Sequence, residues 1–467
     1  MVNKIQEIKR SLKSELWTSI EKYCYFPSAV MEKVVEDKEI PIIEEGNGIY
    51  LKDIEGNEYI DVTSGPVACG IGHGNKRVIE AITKQAQKLE YTYYSTQLNI
   101  PAIELSRRLG ELAPSNLNRV RLGVTGYDAI EIALKATRSF YENKRKNIII
   151  SLYGSYHGSQ YGTSSLTGMS DYHELYQQNN VPSTLNIPPP NCYRCHYGLE
   201  YPECDMLCAR VLDNVLREHP DAQNVATFIG EPVLGAGGAI APPDEYWPMV
   251  EEICRDHDVI LIMDEVMTGL GRTGKLFGFQ HWDIEPDIVT LGKNLASMYQ
   301  PISAVIFQDC IYGELKDKVM RHDHTASLHP IACAAALANI SEIVDGGLVE
   351  NADKMGKYLG KRLEEMAEDS PHLAAFGGLG LLRHIEIVKS KRDKARFPVS
   401  SIPGHRSGVI RSVVQRKCRE KGLIIRVLGY NSDSAMFCPP MIVKKEEIDK
   451  ICDKFSEAIE EINFDRY

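Results

Sequence analysis

The sequence predicts an α/β protein: a large domain on a mainly parallel sheet, followed by a smaller α+β domain. Three observations carry this reading. Short apolar, β-branched runs alternate with segments of helical period along the middle of the chain, the pattern of βαβ units. One run, Val-Ile-Leu-Ile-Met at 259–263, is apolar throughout and reads as a strand buried on both faces. From about Ile331 the pattern turns helical and then mixes strand and helix up to Tyr467. At 467 residues the chain exceeds what one core usually serves. The expected division is 1–65, an N-terminal segment contributing to the small domain; 66–330, the large domain, with a Cys-rich insertion at 188–210; and 331–467, the small C-terminal domain.

Taken in order, residues 1–40 place charges among apolar residues at helical spacing. They read either as a helix and linker or as a segment crossing to a partner subunit. Two alternating runs at 48–61, separated by Glu55-Gly-Asn57, predict a hairpin. Helices are expected around 76–89 and 102–112, and strands near 120–124, 147–151 and 226–230. Between strand 120–124 and the next helical run lies Thr125-Gly-Tyr127. A glycine-containing turn at a helix N-terminus offers free N–H groups to a phosphate, although it also serves as a plain strand-to-helix turn.

Asp264 and Glu265 close the 259–263 strand, and a second short strand at 287–292 delivers Lys293. Both ends face the crevice at the carboxyl edge of the sheet, where ligands bind in such folds. An acid and a lysine so placed suit pyridoxal phosphate, which needs an amine for its aldehyde and a carboxylate for its ring nitrogen. Taken singly, Asp264 is equally a turn or capping residue and Lys293 a solvated surface lysine.

The wider wording decides between them. Asp264-Glu-Val-Met-Thr-Gly-Leu-Gly-Arg-Thr-Gly274, Pro286-Asp-Ile-Val-Thr-Leu-Gly-Lys293 and Pro301-Ile-Ser-Ala-Val305 resemble the class III pyridoxal-phosphate aminotransferases, with matches in order from about Gly48 to Ile448. The resemblance implies fold type I, with Lys293 and Asp264 as catalytic residues. It implies cofactor contacts from Thr125, Gly126, Tyr127, Tyr156, His157, Glu231, Val266 and Met267, with the ring between Tyr156 and Val266. Thr325, an ordinary helix cap if read alone, matches a threonine that reaches the phosphate of the neighbouring subunit. That implies a homodimer or dimer of dimers with the site at the interface. Glu231-Pro-Val-Leu-Gly-Ala-Gly-Gly238 is similar to the ω-aminotransferase branch, and Ile424-Ile-Arg-Val-Leu-Gly429 resembles its loop with a carboxylate-binding arginine, here Arg426. A guanidinium fork suits a carboxylate, while a surface arginine with an apolar stem is the plainer alternative.

The chain departs from the family at several places. Tyr127 stands where a serine usually serves the phosphate, and Met267 where a Gln usually meets the ring hydroxyl. Val67 replaces a pocket Trp, which leaves room for a bulkier donor, and Gly377 replaces an Arg. The expected reaction moves an amino group from an amine or ω-amino acid to a keto acid such as pyruvate or 2-oxoglutarate. A racemase, epimerase or aminomutase on the same scaffold is the alternative, and a catalytically silent binding relative a further one.

Cys192, Cys195, Cys204 and Cys208 form two close pairs, a signal for a structural zinc or an iron–sulfur cluster, or else four reduced thiols in a loop. The cluster is expected to lie away from the cofactor motifs. A net charge of -11 without a basic run argues against nucleic acid. No stretch of about eighteen apolar residues or signal-like N-terminus is present, so a cytoplasmic location without membrane is expected.

Overall fold

The alternating runs near the start of the chain become β1 (Ile43–Asn47), β2 (Tyr50–Asp53) and β3 (Glu58–Asp61), paired antiparallel. The turn joining β2 to β3 is closed by Asp53, whose Oδ1 accepts from the N–H groups of Glu55 at 3.0 Å and Asn57 at 2.8 Å. The computed structural model describes residues 2–27, 31–38, 40–114, 116–142, 144, 146–174, 183–401 and 408–467, with side chains from residue 11 onward.

Seven strands then build the large sheet: β4 (Leu117–Gly123), β5 (Ile148–Leu152), β6 (Thr184–Ile187), β7 (Val225–Gly230), β8 (Ile260–Asp264), β9 (Ile288–Leu291) and β10 (Ser303–Gln308). Their spatial order is β4-β10-β9-β8-β7-β5-β6. All neighbours pair parallel except at β10, which runs antiparallel to both β4 and β9. Every residue of β7, β8 and β9 is buried, as their unbroken apolar runs require when helices cover both faces. The helix Gly126–Phe140 packs Ala129, Ala133 and Ala136 in the same core cluster as Ile229, Ile262 and Val305. Alanines spaced four and three apart share one helix face and allow close approach to the sheet.

The C-terminal part holds β11 (Leu373–Leu379), β12 (Leu382–Ile387), β13 (Leu423–Ile424), β14 (Arg426–Leu428) and β15 (Ser434–Phe437). β11-β12-β15-β14 form an antiparallel sheet with Arg426 on its edge strand, opposite Met436. β13 instead joins the N-terminal sheet, parallel to β3, and so ties the two ends of the chain together. Among the described residues, no single helix is long and apolar enough to cross a membrane.

Candidate active site

Because β4, β5, β7, β8 and β9 all point the same way, their carboxyl ends bring five separate segments to one edge. At β8, Asp264 is 3% exposed and its carboxylate is fully engaged. His157 Nδ1 lies 2.7 Å from Oδ2, with the ring N–H donating, while the Val266 N–H (3.0 Å) and the Thr290 hydroxyl (3.3 Å) donate to Oδ1. The Val266 contact is the turn-type bond that the plainer reading of Asp264 foresaw; the contact from His157, in the segment after β5, is not. His157, expected at the cofactor, is held on Asp264, which fixes the acid's orientation. Its Nε2 is buried with no hydrogen-bond partner among the described residues. Thr290, missed in the sequence, is legible only once β9 is known to pair with β8 in this register.

Lys293 follows β9 after Gly292 and has φ +38, a left-handed conformation that non-glycine residues adopt rarely and mostly where surroundings enforce it. It is not a solvated surface lysine. Burial pulls its ammonium below the usual lysine range, with the Arg426 guanidinium acting in the same sense and the carboxylates of Glu231 and Asp264 opposing. Glu231, just after β7, spans two backbones: Oε1 accepts from the Tyr156 N–H (3.0 Å) and Oε2 from the Gly235 N–H (2.9 Å). Burial, reinforced by the Asp264 charge and opposed by His157, raises its carboxyl above the ordinary range. Glu231 thereby positions Tyr156.

The helix Gly126–Phe140 opens on Thr125, whose hydroxyl accepts from the Asp128 N–H at 3.3 Å. That hydroxyl is already engaged as an N-cap, while the N–H groups of Gly126 and Tyr127 have no intrahelical acceptor because they begin the helix. Glycine is needed here, since a Cβ on Gly126 would sit 2.9 Å from Val266 Cγ1. Tyr127 packs against the backbone of Gly158. Met267 is buried against Gly235, beside Glu231.

On the substrate side, Arg426 is half-buried and has no ion-pair partner among the described residues. It acts electrostatically on Lys293 and is itself acted on by the hydroxyls of Tyr172 and Tyr156. Tyr172, another residue missed in the sequence, sits with its ring centroid 5.2 Å from that of Tyr156. Two candidates stand apart from this group. Val67 is 2% exposed within the main core, at φ +60, and at Gly65, two residues before it, a Cβ would meet open space. Thr325 is exposed and caps no helix; its carbonyl accepts from the Tyr91 hydroxyl at 2.9 Å.

The cysteine cluster calls for two corrections. Cys192, Cys195, Cys204 and Cys208 do line one small pocket as free thiols. Yet among the described residues no three His, Cys, Asp or Glu side chains converge as a metal would require, so neither zinc nor an iron–sulfur cluster has a formed site. Nor is the segment remote. The His196 ring stacks on that of Tyr430, four residues beyond Arg426, because the small domain folds back over the insertion.

Similarity to known proteins agrees with this constellation. The model of the family "Aminotransferase class-III" matches residues 32–459. The chain belongs to the class III aminotransferases. The diaminobutyrate–2-oxoglutarate transaminase of Halomonas elongata is 35% identical over 437 residues, covering 90% of each chain. The leucine/methionine racemase of Thermococcus litoralis is 34% identical over 412 residues, covering 88% of each. The crystal structure of an (S)-enantioselective omega-transaminase from Thermomicrobium roseum superposes with a TM-score of 0.88 at 31% identity, covering 96% of this chain and 98% of its own. This class III chain therefore has the fold type I architecture and is a pyridoxal-phosphate-dependent transaminase. Its residues fit that cofactor: a partly buried lysine of lowered pKa, an oriented acid, and open N–H groups at a helix start cradled too closely for a Cβ.

Glu265, next to Asp264, sets a pH dependence of stability. It is 1% exposed, and burial, with a smaller push from Asp264, raises its carboxyl to about 7, against hydrogen bonds from the Thr268 hydroxyl and the Phe279 N–H (2.8 Å). With the unfolded value near 4.3, the native state binds this proton more tightly. Its contribution is full below about pH 4 and is lost as pH rises to about 7, by on the order of 3 kcal/mol. Glu265→Gln keeps both contacts, the amide oxygen toward Phe279 and the NH₂ toward Thr268, and removes the titration. Urea midpoints of the variant are expected to gain on the wild type between pH 5 and pH 8; parallel curves would refute this.

Proposed function

We propose that the chain transfers an amino group from an amine or ω-amino acid to a keto acid such as pyruvate or 2-oxoglutarate. The observation that carries this is the convergence of Lys293 and Asp264, at the carboxyl edge of the large sheet, with a half-buried Arg426 from the small-domain sheet that has no ion-pair partner among the described residues. When bound, pyridoxal phosphate supplies an aldehyde for the amine and a ring that takes up the electron pair left when a substrate C–H bond breaks. The rest is done by the chain. Lys293, its ammonium weakened by burial, would hold the aldehyde until the substrate amine displaces it, and the freed amine would then take and return the proton at the substrate carbon near neutral pH. Asp264, oriented by His157 and Thr290, holds the ring nitrogen charged. Gly126 and Tyr127 give N–H groups to the phosphate, Tyr156 and Val266 cover the ring, and Arg426 receives the substrate carboxylate. Thr325, exposed in a single chain, serves the partner subunit of a homodimer in the cytoplasm, and an active monomer in gel filtration would count against that role.

The racemase among the relatives keeps racemisation as the second reading, since the same residues move a proton at the same carbon. Incubating the holoenzyme with one amino acid, with and without pyruvate or 2-oxoglutarate, separates the two. Transamination predicts stoichiometric formation of alanine or glutamate and no change in optical rotation without the keto acid. Loss of rotation from the amino acid alone would overturn it.

A further inference from the structure

The Cys-rich insertion after β6 is fastened to the small domain. Arg194 donates Nε to Glu386 Oε1 at 2.7 Å, an acid on β12 only 4% exposed, and the Arg194 N–H donates to Asn191 Oδ1 at 3.0 Å. Lys394 Nζ donates to the Tyr193 carbonyl at 2.9 Å. These anchors present His196, whose ring lies 5.9 Å from that of Tyr430 at an interplanar angle of 8°. Tyr430 stacks in the same way with Tyr153, at 6.4 Å and 9°.

Tyr430 lies two residues beyond β14, the edge strand that begins at Arg426, and its backbone is held as firmly as its ring. Its N–H donates to the Gly237 carbonyl at 2.9 Å, in the segment that follows Glu231. Gly154, at φ +78, comes so close that a Cβ there would lie 2.6 Å from Tyr430 Cβ. Arg411 Nη2 donates to the Gly429 carbonyl at 2.9 Å. The turn after β14 therefore touches the segments after β5 and β7, which carry Tyr156 and Glu231, while the insertion grips the outer ring of Tyr430. His196 and Tyr153 are exposed, so the stack adds little to the core.

We infer that the His196–Tyr430 stack is a positioning device for Arg426, by which the Cys-rich insertion sets how well the enzyme takes carboxylate-bearing substrates. The inference rests on reading Arg426 as the carboxylate site. Loss of one aromatic stack predicts a roughly three- to tenfold weakening, and it falls only on ligands that use the arginine.

The test uses the holoenzyme and the variants His196→Ala, His196→Phe and Arg426→Leu. Butyrate binding is measured by titration calorimetry, and the first half-reaction is followed with an ω-amino acid and with a primary amine lacking a carboxylate. His196→Ala is expected to weaken butyrate and raise the amino-acid KM by about three- to tenfold, leaving the simple amine unchanged, and His196→Phe to restore both. Equal losses for the two donors, or no loss for either, would overturn the stack's role while leaving Arg426 assigned. If Arg426→Leu itself keeps wild-type butyrate binding, the arginine has been misassigned and the inference falls with it.

Discussion

Lys293→Ala is expected to yield a folded protein with turnover reduced by at least about 10²–10⁴-fold, the range a positioned proton-transfer group supplies. The fold should survive because the side chain contributes little apolar packing, and because burial already disfavours its charge. Removing it leaves Glu231 and Asp264 without a nearby ammonium, and both can remain paired with the donors they already have, Tyr156 and Gly235 for one, His157, Val266 and Thr290 for the other. The backbone keeps its left-handed φ of +38 in the variant, so whatever strain the site stores is unchanged. Circular dichroism melts within a few degrees of wild type, together with loss of borohydride-stable cofactor attachment, would support the role. Turnover near the wild-type rate would refute it.

Which parts of this site could be read from the chain follows from the range of each signal. Asp264 and Lys293 were legible because each ends a short apolar run, and a run that is buried on both faces fixes where its carboxyl end lies. The cradle at Gly126 was legible for the same reason, as the turn after β4. What was not legible depends on pairing between distant segments. The Thr290 hydroxyl reaches Asp264 only through the β8–β9 register, and Glu231 reaches Tyr156 only because β7 lies beside β5. At Thr125 the residue type does not reveal that its hydroxyl accepts from the Asp128 N–H and so caps its own helix. The cysteine segment looked remote because the contact that matters, His196 on Tyr430, crosses from the insertion to the small domain. At Val67 the residue type does not reveal that the chain kinks through Ser64, Gly65 and Val67, all at positive φ, and buries that side chain in the core.

Asp264→Asn should separate the two readings of the central acid. As a turn residue alone, Asp264 accepts from the Val266 N–H, a task Asn performs about as well. The fold can accommodate the change. With the amide oxygen toward Val266 and Thr290, the NH₂ faces His157 Nδ1, and the imidazole can answer by moving its proton to Nε2, which has no partner among the described residues. What Asn cannot do is hold a positive charge beside it. Breaking a buried charged pair commonly costs about 3–5 kcal/mol. At about 1.4 kcal/mol per tenfold, a loss of about 3 kcal/mol in the transition state slows the first half-reaction on the order of a hundredfold. Asp264→Ala should be at least as slow and should also release His157 from its fixed orientation, weakening cofactor affinity further. Single-turnover rates of the Asn variant within about threefold of wild type at full cofactor occupancy, below the 1.4 kcal/mol that a tenfold change represents, would show that Asp264 is a turn residue and that the charge is held elsewhere.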